Sequence, residues 1–190
     1  CPGVCRCAPQ ETIRCNRAGL RALPADIAAS TLSLSLSNNY LRTLSATTFR
    51  NLTLLHSLWL DGNNLTFLSP GTFHALGQLR ELHLSRNSRL TYLHANTFRG
   101  LLNLVSLDLS HCNIFELHPL LFSHLPALQR LDLASNNMRY VPQAFQNLSS
   151  LTRLLYLNNN RISSISGSAF LGLNKLHFLH LSRNNLSSLP

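Results

Sequence analysis

Four cysteines fall within the first fifteen residues, at Cys1, Cys5, Cys7 and Cys15, and a fifth, Cys112, stands far from them. Thiols gathered at one end serve either a metal or a set of disulfides. The spacing lacks two C-x-x-C pairs and no histidine precedes His56, which favours a disulfide-stapled terminus in an oxidising compartment over a zinc site. Four cysteines allow three pairings, and the spacing does not choose among them. Nine histidines also invite metal or acid–base chemistry. His177 with His180, or His83 with Asp108, could approach one another, yet the chain has no H-E-x-x-H, no G-x-S-x-G and no phosphate-binding glycine loop. The expectation is therefore no catalytic residue, no metal and no cofactor, with surface histidines and a buried, unreactive Cys112. Sequons at Asn51, Asn64, Asn147 and Asn185 add acceptors for N-linked glycans and support a secreted, glycoprotein reading.

The elements that position these residues emerge from a repeat. The pattern L-x-L-x-x-N-x-L recurs with its asparagine position at Asn39, Asn63, Asn87, Cys112, Asn136, Asn160 and Asn184. A second column, Phe49, Phe73, Phe98, Phe122, Phe145 and Phe170, keeps almost the same spacing of about 24 residues. Two columns holding one period define a leucine-rich repeat. In each unit alternate leucines such as Leu58 and Leu60 point inward from a short strand while Trp59 points out. Stacked units give an α/β-type solenoid, with a curved parallel β-sheet on the concave face and irregular or 3-10 return segments on the convex face. Buried asparagine amides would serve the backbone of neighbouring turns as a ladder, and the phenylalanines would form a core spine on the return side. The domain expectation is a cap over 1–29, with Leu20, Leu23 and Ile27 covering the first strand, then seven repeats over 30–190. The chain stops at Pro190, after Leu186-Ser-Ser-Leu189, with no closing cap, so truncation or continuation is expected.

Three irregularities interrupt the repeat. The third inserts Ser88-Arg89 before Leu90, and the fourth places Cys112 on the asparagine ladder. The fifth and sixth compensate for one another: Val141 to Phe145 is one residue short, and Leu151 to Leu157 is one long, which predicts a bulge near Leu154.

Composition sets the outer bounds. The 190 residues include 44 leucines and carry a formal charge of +9, and no apolar run approaches the ~18 residues of a membrane span. Four arginines, Arg6, Arg14, Arg17 and Arg21, gather in the cap and could attract a sulfated glycan. Nucleic acid fits poorly with disulfides, sequons and the lack of any nucleic-acid motif. Outward positions of the concave strands are the candidate binding surface. The central column reads Ser35, Trp59, His83, Asp108, Asp132, Tyr156 and His180, and the flanks add Arg80, Glu81, Arg86, His111, Arg130, Arg153, Asn159, Phe178 and Arg183. Trp59, Tyr156 and Phe178 are the expected anchors, with the charged residues setting electrostatic match. No sequon falls in that central column.

The opening Cys1-Pro-x-x-Cys5-x-Cys7 with Cys15, followed by Leu20-x-x-Leu23-Pro24, resembles the amino-terminal cap of extracellular leucine-rich repeat proteins. That resemblance implies disulfides Cys1–Cys7 and Cys5–Cys15. The superfamily includes matrix proteoglycans, Nogo receptors, Toll-like receptors and lamprey variable lymphocyte receptors. The extended third unit, the ladder cysteine of the fourth, the run Leu65-Thr-Phe-Leu-Ser-Pro-Gly-Thr-Phe73 and the Tyr92-Leu-His-Ala stretch are similar to the nyctalopin and Nogo-receptor group of neuronal surface proteins. The resemblance implies a non-catalytic recognition module in adhesion or synaptic organisation, whose partner is an extracellular or membrane protein, with a membrane anchor outside this chain. The alternatives are a matrix proteoglycan-like protein binding collagen or sulfated glycans, and a lamprey-type receptor binding antigen.

Overall fold

In a computed structural model that describes residues 1–148 and 150–187, eleven short strands follow one another along the chain. They are β1 (Arg6–Ala8), β2 (Thr12–Arg14), β3 (Ser33–Ser35), β4 (Thr43–Leu44), β5 (Ser57–Trp59) and β6 (Phe67–Leu68). The series continues with β7 (Glu81–His83), β8 (Ser106–Asp108), β9 (Arg130–Asp132), β10 (Leu154–Tyr156) and β11 (Phe178–His180). Nine of them form one sheet in the order β1-β2-β3-β5-β7-β8-β9-β10-β11, parallel throughout except for the antiparallel β1–β2 pair. The remaining two, β4 and β6, pair on a separate flank. On the return side, 3-10 turns occupy Leu121–His124 and Gln143–Asn147.

Burial follows the alternation read in the sequence. Leu34, Leu58, Leu82, Leu107, Leu131 and Leu155 occupy the middle of β3, β5, β7, β8, β9 and β10 and are buried, so each of these six strands contributes one inward leucine to a continuous core. Full burial of each such side chain is worth roughly 1.5–3 kcal/mol. The spine behind them is equally buried: Phe49 stacks on Phe73 with ring centroids 6.0 Å apart, and Phe73 on Phe98 at 6.3 Å.

The asparagine ladder is a repeated hydrogen-bond unit. Asn63 donates from Nδ2 to the carbonyls of Leu36 and Leu60, each at 3.0 Å, and its Oδ1 accepts from the Leu41 amide at 3.0 Å. One side chain thereby satisfies backbone groups of two adjacent turns that the sheet leaves unpaired. Cys112 takes this position by donating its thiol to the Leu84 carbonyl at 3.3 Å, and burial pushes its pKa up to about 12. Immediately before each ladder residue stands one in the left-handed region: Asn38, Gly62, Arg86, His111, Ser135, Asn159 and Arg183. That conformation ends each strand and turns the chain toward the convex side. Only Gly62 occupies it without a side-chain penalty.

The cap does more than cover the end. Cys1 is bonded to Cys7 and Cys5 to Cys15, and Leu20, Leu23 and Ile27 pack partly buried against the core. Its second strand continues the concave sheet, with Arg14 in register with Ser35. The ladder reaches back into it, Asn39 donating to the Cys15 carbonyl at 2.9 Å.

The expected bulge at Leu154 is absent. Leu154–Tyr156 pairs residue for residue with Arg130–Asp132 on one side and Phe178–His180 on the other. The extra residue is taken up one step earlier. In preceding units two successive amides share one carbonyl, as Arg153 and Leu154 share that of Gln129. In the next step His177 and Phe178 bond separately to Thr152 and Arg153, so the insertion is absorbed before the strand begins. The expectations on Leu189 and Pro190 at the last unit lie outside the described residues.

Candidate binding surface on the concave sheet

Strand pairing sets the candidate residues in rows. Ser35, Trp59, His83, Asp108, Asp132, Tyr156 and His180 are successive register partners, so they form one unbroken row across the sheet. A second row holds Ser57, Glu81, Ser106, Arg130, Leu154 and Phe178. Arg80 and Arg153 lie at the approaches to their strands, whereas Arg86, His111, Asn159 and Arg183 belong to the left-handed turn column at the rim.

Three regions differ in chemistry. At the cap end the Trp59 ring lies over that of His83, 3° from parallel with centroids 5.1 Å apart. The other face of that region is a depression of about 330 Å³ lined by Arg14, Ser35, Ser37 and Trp59. At the far end Tyr156, Phe178 and His180 pack mutually, with centroids 5.7 to 6.1 Å apart, and Phe178 remains 45% exposed. Phe178 is exposed and Trp59 and Tyr156 are half-buried, and rings held this way by their neighbours suit protein contact, because little side-chain entropy remains to be lost.

Between the aromatic ends lies an acidic centre. His83 sits 3.3 Å from Glu81 through Nε2 and 4.0 Å from Asp108 through Nδ1. Burial alone would lower its pKa, but the bonds to Asp108 and Glu81 and the charge of Asp61 outweigh it and raise the value above 6.5. Burial would likewise raise Asp108, yet His83 and the Ser110 amide and hydroxyl hold it below the ordinary range. Asp132 is raised, by burial and by the facing charge of Asp108. A depression of about 220 Å³ opens here, lined by Glu81, His83, Asp108, Arg130, Asp132 and Tyr156 among others. Among the described residues the ion pairs within 4.0 Å are those of His83, so Arg80, Arg86, Arg130 and Arg153 face solvent without a carboxylate partner.

Sequence reasoning missed several residues here. Arg14 extends the central row into the cap, a placement hidden because the cap strands lack the repeat consensus. Leu154 stands between Arg130 and Phe178 in the second row, hidden by the expected bulge. Asp61 joins His83 and Asp108 from the turn after β5, a position the strand periodicity does not flag. A separate set of exposed aromatics, Phe67, Tyr92, Phe115 and Tyr140, lies on the flank that carries β4 and β6. Its signal was the segment after the ladder, where Phe67, Tyr92 and Tyr140 stand two residues beyond Leu65, Leu90 and Met138 in the second, third and fifth units. Of the four sequons, Asn51, Asn147 and Asn185 are exposed and Asn64 is half-buried, and none lies in the central row.

Relatives share the repeats over different lengths. Human Reticulon-4 receptor-like 2 is 39% identical over 94 residues, 49% of this chain and 22% of its own length. Chicken (Gallus gallus) keratocan is 29% identical over 194 residues, all of this chain and 47% of the relative. The chain thus spans less than half the length of these curated relatives. Among solved structures, human 5T4, also described as Wnt-activated inhibitory factor 1 or trophoblast glycoprotein, superposes with a TM-score of 0.85 at 32% identity. That match covers 98% of this chain and 73% of 5T4. TLR13, in its complex with ssRNA13, gives a TM-score of 0.82 at 31% identity over 90% of this chain and 24% of its own. The family described as Leucine rich repeat matches residues 29–88, 53–114, 103–155 and 153–190. With that family spanning every unit of the solenoid, the chain is a non-catalytic leucine-rich repeat protein, a member of a family of binding scaffolds.

Proposed function

We propose that this solenoid is the extracellular recognition module of a cell-surface protein and that it binds a protein partner on its concave face. The observation that carries this reading is the unbroken row from Trp59 to His180. It holds Trp59 and Tyr156, each packed in an aromatic cluster, in fixed register, and the exposed arginines that flank it have no carboxylate within 4.0 Å among the described residues. Aromatic anchors beside unpaired arginines combine apolar burial with directional contacts, which is the composition of interface hot spots. The disulfide-bonded cap agrees with an oxidising compartment. The likeness to Reticulon-4 receptor-like 2 supports a receptor-type setting. The sequence resemblance to nyctalopin narrows this reading to neuronal or synaptic organisation.

A second reading draws on the likeness to keratocan, which covers all of this chain and 47% of keratocan, and on the cap arginines, of which Arg6 and Arg14 are exposed and face one another across β1 and β2. In that reading the ligand is a sulfated glycan of the matrix. One experiment separates them: a screen of cell-surface and secreted proteins, run with the native chain and with a Trp59→Ala/Tyr156→Ala double variant. A partner bound by the native chain and lost in a normally folded variant supports concave recognition. Capture of heparin alone, weakened by salt and indifferent to both substitutions, overturns it in favour of the cap.

A further inference from the structure

Four of the seven acidic residues of a chain with formal charge +9 converge on one part of the concave face: Asp61, Glu81, Asp108 and Asp132. Asp108 and Asp132 are direct register partners, an arrangement that like charges disfavour. No arginine lies within 4.0 Å of a carboxylate among the described residues, and the imidazole in direct contact with this group is that of His83. That imidazole comes from the middle of three consecutive turns. Asp61, His83 and Asp108 each offer one donor atom, and the three donors lie within 4.8 Å of one another.

Each donor group is held at its other end. Asp61 Oδ1 accepts from the Ser85 amide at 2.9 Å and the Ser85 hydroxyl at 3.0 Å. Asp108 Oδ1 accepts from the Ser110 amide at 2.9 Å and hydroxyl at 2.7 Å. His83 Nε2 lies 3.3 Å from Glu81, which can accept a hydrogen bond from the Nε2–H of the neutral imidazole, the tautomer whose Nδ1 lone pair faces Asp108. Trp59, stacked 3° from parallel, fixes the plane of the ring. A carboxylate on the far nitrogen of the imidazole, and fixed far oxygens on the carboxylates, are the supports that orient metal ligands.

We propose that Asp61, His83 and Asp108 form a binding site for a divalent cation of the zinc class, open on the side of the neighbouring depression. One imidazole and two carboxylates make three ligands, and the depression beside His83 and Asp108 leaves a further position for water or for a group of a binding partner. Imidazole nitrogen selects the transition metals over calcium and magnesium, which favour oxygen alone. Donors around one tetrahedral zinc sit about 3.3 Å apart, so the side chains close by roughly 1.5 Å on binding. Such a motion is within reach of small rotations about the aspartate and histidine side-chain bonds. This assignment departs from the sequence expectation of no metal, which weighed His83 and Asp108 without Asp61.

The site reports on itself, because Trp59 is the only tryptophan and lies against the histidine that would be a ligand. Purified chain free of any histidine tag and treated with chelator is titrated with zinc chloride. Calorimetry reads stoichiometry and tryptophan fluorescence reads location. The expected result is one ion per chain with a saturable change in Trp59 emission, weakened at least tenfold by Asp61→Asn and by Asp108→Asn. Glu81→Gln, which removes no ligand, weakens binding by about tenfold, and His177→Ala leaves it unchanged. Far-ultraviolet circular dichroism and a melting curve establish that each variant is folded. Absence of saturable binding, binding indifferent to Asp61→Asn and Asp108→Asn, or calcium binding in place of zinc would overturn the proposal. Because no partner is needed, the result is independent of whether the concave face recognises a protein.

Discussion

Cys112 and His83 show how one position in a repeat acquires chemistry from its surroundings. Cys112 occupies a ladder site that is asparagine elsewhere, and burial lifts its pKa to about 12. At neutral pH its thiol is protonated and enclosed, so a thiol reagent should leave the native protein unmodified and label it once unfolded. Rapid native labelling in an Ellman's assay would contradict this. His83 behaves oppositely: its pKa is raised above 6.5 by Asp108, Glu81 and Asp61 against the effect of burial. A group whose folded pKa exceeds its unfolded value stabilises the fold fully below the unfolded pKa and loses that contribution as pH rises through the folded pKa. In the presence of chelator, the stability gap between native protein and His83→Gln should therefore be wider at about pH 5.5 than at about pH 9. Equal gaps in melting temperature at the two pH values would mean that the carboxylates do not hold the imidazolium.

At the scale of the element, the strand leucines and the ladder were legible because period and chemistry coincide. A leucine two residues from a leucine must face the same side, and an asparagine recurring every turn must serve the backbone. Asn63 makes the energetic point: Asn63→Ala leaves the carbonyls of Leu36 and Leu60 and the amide of Leu41 without this partner. The expected loss is about 2–4 kcal/mol in chemical denaturation, with the native sheet retained. A loss below roughly 0.5 kcal/mol would show that water replaces the amide and that the ladder is not a structural requirement. The insertion near Leu154 was legible as an irregularity but not in its consequence. Sequence counts residues, whereas the position at which a strand begins depends on which carbonyls the approaching amides choose. Here Thr152 and Arg153 accept separately and the strand register survives.

At the scale of the whole molecule, the row of outward residues was readable because a parallel stack transmits register from one unit to the next. Ser35 to His180 could be named from the repeat period alone. What the period could not give were contributions from outside it: Arg14 from the cap, Asp61 from a turn, and the separate aromatic flank of Phe67, Tyr92, Phe115 and Tyr140. That flank provides the natural control for the proposed function, since it too exposes rings, yet it lacks the acidic centre and the paired clusters of the concave row. The most direct test measures partner binding by the native chain, by Trp59→Ala/Tyr156→Ala and by Phe67→Ala/Tyr140→Ala, with folding of each checked by its melting curve. Concave recognition predicts that the first double variant loses affinity by at least about 2 kcal/mol, while the flank variant binds as the native chain does. Full binding by the concave variant, with loss confined to the flank variant, would contradict it.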